Sequence, residues 1–239
     1  MNITLALTYY DNPDMLRQQL MYWQEYPKEI ADKVNIIIVD DGSPKHPAEE
    51  VLYDVTSFNV DISLYRIKQD IFQNVAGARN LAFTKSSNRW VWNIDMDHVI
   101  SYKSMENLLD MQLESGCYYK PYRFRMLDME HSEPMGRHSD TFIMERDLFW
   151  KVGGYNENYV QYYYNGSLSL FRRRLKRTAF SIELGNVWTL YFGSGVIADA
   201  SPLNGSEKKK LEFHGIVDDM MNSKTKNNPL RFDWEEIEL

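Results

Sequence analysis

The 239-residue sequence holds a single cysteine, Cys117, which excludes an intrachain disulfide and suits a reducing compartment. It has no run long and apolar enough to span a bilayer. The N-terminus enters a strand-like run directly, without the basic stretch and apolar core of a signal peptide, so the cytoplasm is the expected location. Positive charge is in deficit: 27 Lys and Arg against 34 Asp and Glu leave a net charge of −7. That balance excludes a general electrostatic grip on nucleic acid and leaves room only for a local basic patch. Neither glycine nor lysine occurs between positions 5 and 14, so the chain lacks the phosphate loop that a nucleotidyltransferase favours near its N-terminus. No internal repeat and no linker divides it into independent domains.

What remains is ordinary globular material, 44% hydrophobic and 26% charged, enough to bury a substantial core. Aromatics reach 14%, which suits stacking on bases or sugars as well as core packing. An apolar run at 3–8 breaks at Tyr9-Tyr10-Asp11-Asn12-Pro13, where Asn12 and Pro13 suit a helix start. Met15, Leu16, Gln19, Leu20, Tyr22 and Trp23 then recur at helical spacing. Positions 34–39 are aliphatic apart from Asn35, as in a central parallel strand, and end in the turn Asp40-Asp41-Gly42-Ser43-Pro44. A helix at 48–56, a strand at 62–67, a helix at 74–85 and a strand at 90–94 follow. The order β-α-β-α-β-α-β predicts an α/β fold, a mostly parallel Rossmann-like sheet with helices on both faces. Ligands of such sheets bind at the carboxyl ends of the strands, where Thr8, Tyr9, Tyr10, Asp40, Asp41, Asp95 and Asp97 all fall.

The stretch Trp90-Val91-Trp92-Asn93-Ile94-Asp95-Met96-Asp97-His98 carries the most chemistry. A buried strand ends in two carboxylates one residue apart, and extended backbone would turn both to the same side. Two such charges repel unless a cation joins them, and Mg²⁺ or Mn²⁺ commonly bridges carboxylates to substrate phosphates.

Beyond residue 100 the pattern is less regular. Helices are expected at 105–113 and 168–177, strands at 118–127, 141–144, 179–184 and 188–192, a polar loop at 128–140 and a helical turn at 146–152. Five positive charges, Arg172, Arg173, Arg174, Lys176 and Arg177, crowd the second helix. They read as a solvated face, or as a grip on an anionic acceptor through peripheral contact at 172–177. Lysines 208–210 and the Asn/Lys-rich 221–228 predict a C-terminal tail or lid over 201–239.

Several segments taken in order resemble the family-2 glycosyltransferases of GT-A fold: Thr8-Tyr9-Tyr10, Val39-Asp40-Asp41-Gly42-Ser43, Asn74-Val75-Ala76-Gly77-Ala78-Arg79-Asn80, and Ile94-Asp95-Met96-Asp97. Phe149-Trp150-Lys151-Val152-Gly153-Gly154-Tyr155-Asn156-Glu157 and Phe171-Arg172-Arg173-Arg174-Leu175 continue the likeness, which covers positions 3–177. The resemblance implies an inverting enzyme that uses a nucleotide-diphosphate sugar, here a UDP-sugar, with Mn²⁺ or Mg²⁺. It implies a GT-A domain over 1–200, with a nucleotide-binding half at 1–100 and a smaller acceptor-side half at 101–200. Thr8 and Tyr10 would line the base and ribose pocket together with Tyr9, and Asp40, beside Asp41, would accept from the uracil imide N–H. Arg79 would fork onto phosphate oxygens where Gly77 and Ala78 let the backbone approach, with Asn80 alongside. Asp95 would touch ribose or metal, Asp97 would ligate the metal, and His214 would supply a third ligand. His138 would contact phosphate or sugar.

The likeness breaks at the catalytic base, an acid that such enzymes usually carry just ahead of the Arg-rich helix. Ser167 and Leu168 stand there, and Leu170 stands where a second acid often lies. Asp140 is the favoured substitute and Glu157 a weaker one. The acceptor could also be reactive enough to need no strong base, or the chain could bind a nucleotide sugar or glycan without transferring it. Acceptors compatible with the basic helix are a lipid-linked or phosphorylated glycan and DNA carrying a hydroxylated base.

Overall fold

Strand β1 (Ile3–Tyr9) sets the two faces of the molecule by parity alone. Ile3, Leu5, Leu7 and Tyr9 pack into one core, whereas Ala6, from the alternate set, packs into the other. In this computed structural model, which describes residues 1–71, 74–160, 166–193, 195–197 and 229–239, β1 lies mid-sheet. It pairs in parallel with β2 (Val34–Asp40) and β4 (Trp90–Asp95), and β2 pairs in parallel with β3 (Asp61–Ile67). Helices α1 (Pro13–Gln24), α2 (Lys28–Ala31) and α3 (Ala48–Tyr53) send Leu16, Leu20, Trp23, Ile30, Val51 and Leu52 into the first core. Helix α4 (Val75–Lys85) covers the opposite face with Ala78, Leu81, Ala82 and Phe83.

Local chemistry starts these helices where the sequence predicts. Asn12 Oδ1 accepts from Met15 N at 3.3 Å ahead of Pro13 at the first helical turn. Asn74 Oδ1 does the same for Gly77 N at 3.2 Å at the head of α4.

The second half follows as β5 (His98–Val99), α5 (Tyr102–Leu109), β6 (Cys117–Met126), β7 (Ser132–Met135), β8 (Phe142–Glu145), α6 (Arg146–Val152), α7 (Gly166–Thr178), β9 (Phe180–Tyr191) and β10 (Trp234–Ile237). A 3-10 turn, Glu157–Tyr159, lies between α6 and α7. The sheet order is β10-β3-β2-β1-β4-β8-β6-β9-β5, with β7 paired to β6. Helix α6 ends at Gly153, whose φ of +100° suits a residue without a Cβ. Phe149, Val152, Phe171 and Leu175 of α6 and α7 join the α4 side of the core.

Three expectations change. The two strands expected at 179–192 are one strand, β9. Its register against β6 jumps from Lys120↔Glu183 to Tyr122↔Trp188, so the Gly185-Asn186 break in the pattern is a bulge. The polar loop at 128–140 contains β7. The end of the expected tail or lid is an antiparallel edge strand, with Trp234 opposite Ile67 and Ile237 opposite Leu64. It is moored by the fully buried Glu157, which accepts from Leu230 N at 2.9 Å and Arg231 N at 3.0 Å. His214, Tyr164, Asn165 and the tail expectation over 201–228 lie outside the described residues.

Candidate functional site

Register brings the three motifs to one rim. Tyr9 lies opposite Asp40 across β1 and β2, and Thr8 lies opposite Asp95 across β1 and β4. Strand β4 ends at Asp95, so the second carboxylate is not placed by strand parity as the extended pattern suggests. A tight turn through Met96 and Asp97 does it. Gln19, fully buried on α1, holds that turn by donating from Nε2 to the carbonyls of Met96 and His98, both at 2.8 Å. Phe192 N donates to Asp97 O at 2.8 Å from the far side.

Asp95, Asp97 and His98 each present one ligand atom, all lying within 4.8 Å of one another. His98 Nδ1 sits 2.6 Å from Asp97 Oδ1, and the ring stacks on His138 (5.0 Å) and lies tilted against Tyr191 (5.1 Å). Two carboxylates and an imidazole form a donor set that suits Mn²⁺ and accommodates Mg²⁺ through the oxygens. The sequence reading missed His98; the signal was its place directly after the second carboxylate, where the short strand β5 begins.

Asp95 is heavily partnered. Its Oδ1 pairs with Arg79, and its Oδ2 lies 3.1 Å from His138 Nδ1. Burial would raise its pKa, but Arg79, His138 and His98 hold the carboxyl far below the usual carboxylate range. Burial would lower the pKa of His138, but Asp95 and Asp140 together raise it above the ordinary imidazole value. Asp97, 42% exposed at its side chain, is the carboxylate with the freer reach.

Arg79 is not on the surface that phosphate oxygens would meet. It is 2% exposed, pairs with Asp95, and lies 3.4 Å from the Tyr155 hydroxyl with its guanidinium 5.5 Å from that ring. It is the buried counter-charge to Asp95. Asn80 is also structural: it donates to Tyr155 O at 2.8 Å and Glu157 Oε1 at 2.7 Å, and accepts from Tyr155 N at 2.9 Å. Gly77 serves close packing, because a Cβ there would lie 2.6 Å from its own N-cap, Asn74, and 3.0 Å from Phe232. Tyr9, on the α1 face by parity, is fully buried and donates to His46 O at 2.6 Å, leaving Tyr10, which donates to Asp70 at 3.1 Å, and Thr8 at the rim.

The paired acids of β2 divide their work. Asp40 accepts from Ser43 N at 2.8 Å and Ala48 N at 2.9 Å, so both its oxygens are spent on the turn and the head of α3. Asp41 is 2% exposed, and its Oδ1 has no hydrogen-bond partner among the described residues. Burial, then the charges of Asp40 and Asp70, push its pKa well above the usual carboxylate range, against a backbone hydrogen bond from Asn74. The carboxylate that keeps an oxygen without a partner among the described residues is therefore Asp41 and not Asp40, the one the sequence pointed to.

Asp140 is 7% exposed. Its backbone carbonyl accepts from Asn93 Nδ2 at 2.5 Å, and its Oδ2 from Arg172 Nη1 at 3.0 Å, while Oδ1 is buried without a partner among the described residues. Asn93 is two residues before Asp95 on the same face of β4, which places Asp140 beside the carboxylate cluster. Ser167 is 1% exposed with a hydroxyl that has no partner among the described residues, and Leu168 and Leu170 are buried, so the head of α7 is packed as core where an acid was expected. Glu157 is committed to Asn80 and the C-terminal segment, which removes it as a base.

No curated protein matches the chain by sequence. Among solved structures, TarS 1-349 of S. aureus in complex with UDP-GlcNAc matches over 95% of this chain and 68% of that one, with a TM-score of 0.66 at 12% identity. Mannosyltransferase PcManGT from Pyrobaculum calidifontis, in complex with GDP-Man and Mn²⁺, matches over 94% and 65%, with a TM-score of 0.61 at 12% identity. A longer S. aureus TarS structure matches over 95% of this chain and only 41% of its own length, with a TM-score of 0.62 at 12% identity. The sheet, its flanking helices and the turn after β4 thus build a GT-A fold, as the sequence resemblance implied. The family model described as Glycosyl transferase family 2 matches residues 14–177, and the chain belongs to that family.

Proposed function

We infer that this chain transfers a sugar from a UDP-sugar to an acceptor hydroxyl, with inversion and with a divalent ion, Mn²⁺ or Mg²⁺. The observation that carries this reading is the Asp95–Asp97–His98 cluster at the same strand ends as Asp41, whose Oδ1 has no partner among the described residues. A buried carboxylate oxygen short of a donor is satisfied by the imide N–H of uracil, and guanine also offers a ring N–H there, whereas adenine and cytosine present a ring nitrogen that accepts. Thr8 and Tyr10 flank the space for base and ribose. Asp97 and His98, with Asp95 fixed behind them by Arg79, would hold the ion. Such an ion supplies positive charge to the departing diphosphate.

In the transfer, the acceptor oxygen bonds to the anomeric carbon as the bond to the diphosphate oxygen breaks, and the bonding pair leaves with the diphosphate. Asp140 takes the hydroxyl proton on Oδ1, while Arg172 fixes the carboxyl through Oδ2. A second reading rests on Ser167 at the usual position of the base: a module that binds nucleotide sugar without transferring it.

Calorimetry with uridine diphosphate, with and without Mn²⁺, tests the common part of both readings. Binding that needs the ion supports them, and binding indifferent to it refutes them. A transfer and donor-hydrolysis assay then separates enzyme from binder.

A further inference from the structure

Helix α7 carries Ser169, Arg172, Arg173 and Lys176 at i, i+3, i+4 and i+7, a single helical face. That face lines a pocket of about 370 Å³, and Lys120 of β6 and Ser139 complete the polar wall. Four cations surround one cavity in a chain whose net charge is −7. Like charges three and four residues apart on a helix repel, so the stripe costs stability unless an anion joins it. Among the described residues, only Arg172 of the four has an acidic partner, Asp140. Glu183, opposite Lys120 in register, pairs with Arg137 instead.

Arg172 is also held in place. It donates to Ser139 Oγ at 2.5 Å, Asp140 Oδ2 at 3.0 Å and Ser169 Oγ at 2.9 Å. Its position is therefore set before any ligand arrives, which lowers the ordering cost of binding. The same residue joins the basic pocket to the carboxyl assigned as the base.

We propose that this pocket binds a phosphate group carried by the acceptor, so that the sugar-accepting substrate is a phosphate ester of a sugar or other alcohol. The proposal rests on the transferase reading for the word acceptor, but the pocket itself does not. A cavity of this size takes a small ligand or one chain end, and guanidinium and ammonium donors together with two hydroxyls match phosphate oxygens. A nucleic-acid duplex is gripped along an extended basic surface, whereas these four cations gather at a single cavity. The phosphate seats against Arg173, Lys176 and Lys120, and the hydroxyl of the same molecule reaches Asp140 past Arg172.

The test measures binding of glycerol 1-phosphate to the full chain by calorimetry, in wild type and in the Arg173→Ala/Lys176→Ala double variant. Both changed side chains are exposed, and uridine diphosphate binding with Mn²⁺ is measured on the same samples as a check of the donor side. The double variant is expected to lose at least about tenfold in affinity for the ester while keeping its nucleotide affinity. Equal ester affinity in the two proteins overturns the proposal. So does a duplex DNA or an anionic vesicle that binds through these two residues when the ester does not. Ester binding that depends on Arg173 and Lys176, in a protein that ignores uridine diphosphate, upholds the anion pocket and removes the transferase reading.

Discussion

Replacing Asp41 with Asn should make the protein more stable and a poorer binder of uridine diphosphate. Asp41 is 2% exposed, faces the charges of Asp40 and Asp70, and has an oxygen without a partner among the described residues. An ionised carboxylate in that setting is a standing cost, relieved when a ligand N–H reaches it. Asn keeps the shape and an acceptor for the Asn74 amide but removes the charge. The gain should be about 1–2 kcal/mol, the scale of one unsatisfied buried polar group, or about 2–8 °C in Tm for a chain of this length. The loss in binding should be about tenfold to a hundredfold, the worth of one hydrogen bond to a charged group.

The native carboxyl keeps its proton to a higher pH than the ordinary value of about 3.9, so the native state binds more protons and wild-type stability falls as pH rises through that interval. The Asn variant lacks that fall. The Tm difference should therefore be present at pH 7 and vanish below about pH 4, where Asp41 is protonated in both states. Thermal unfolding at several pH values and calorimetry with uridine and adenosine diphosphates check both halves. An Asn variant no more stable at pH 7, with unaltered preference for uridine diphosphate, would refute the argument.

Asp97→Ala should abolish Mn²⁺-dependent nucleotide binding in calorimetry, and retained binding would remove this carboxylate from the ion site. Asp140→Asn should lower the transfer rate by about 10²–10⁴, the range for one general base, with nucleotide affinity unchanged; an unaltered rate would send the search for the base elsewhere. Glu157→Ala should cost about 1–3 kcal/mol, because it removes the acceptor of the buried Asn80 amide and of the half-buried Leu230 and Arg231 N–H groups. Chemical denaturation measures that loss, and a change below about 1 kcal/mol would show that the C-terminal strand is not held through this carboxylate.

Much of the architecture was legible from short-range pattern. The strand–helix alternation of the first hundred residues, the helix starts near Asn12 and Asn74, and the acidic turn after Trp90-Val91-Trp92 are each encoded within a few neighbouring residues. Hydrophobic periodicity and cap chemistry act over that distance. The same local view misjudged 179–192, because the Gly185-Asn186 bulge makes sense only against its partner strand β6. It also read residues 229–239 as tail, because an edge strand needs the distant β3 to exist.

The sequence by itself determined which chemistry stands at the strand ends: carboxylates after β2 and β4, aromatics after β1, and a basic helix late in the chain. Only the tertiary structure decided how each group is used. Asp40 and Asp41 are indistinguishable as neighbours in a string, but the turn spends both oxygens of one on backbone amides and leaves one oxygen of the other without a partner among the described residues. Arg79 reads as a phosphate ligand until α4 buries it against Asp95, and Tyr9 reads as a pocket wall until parity turns it into the core. His98 becomes a ligand candidate because Gln19, 79 residues earlier, holds its carbonyl. The physical reason is common to all of these. A side chain's type is local, but its desolvation and its partners are set by whatever the fold packs against it.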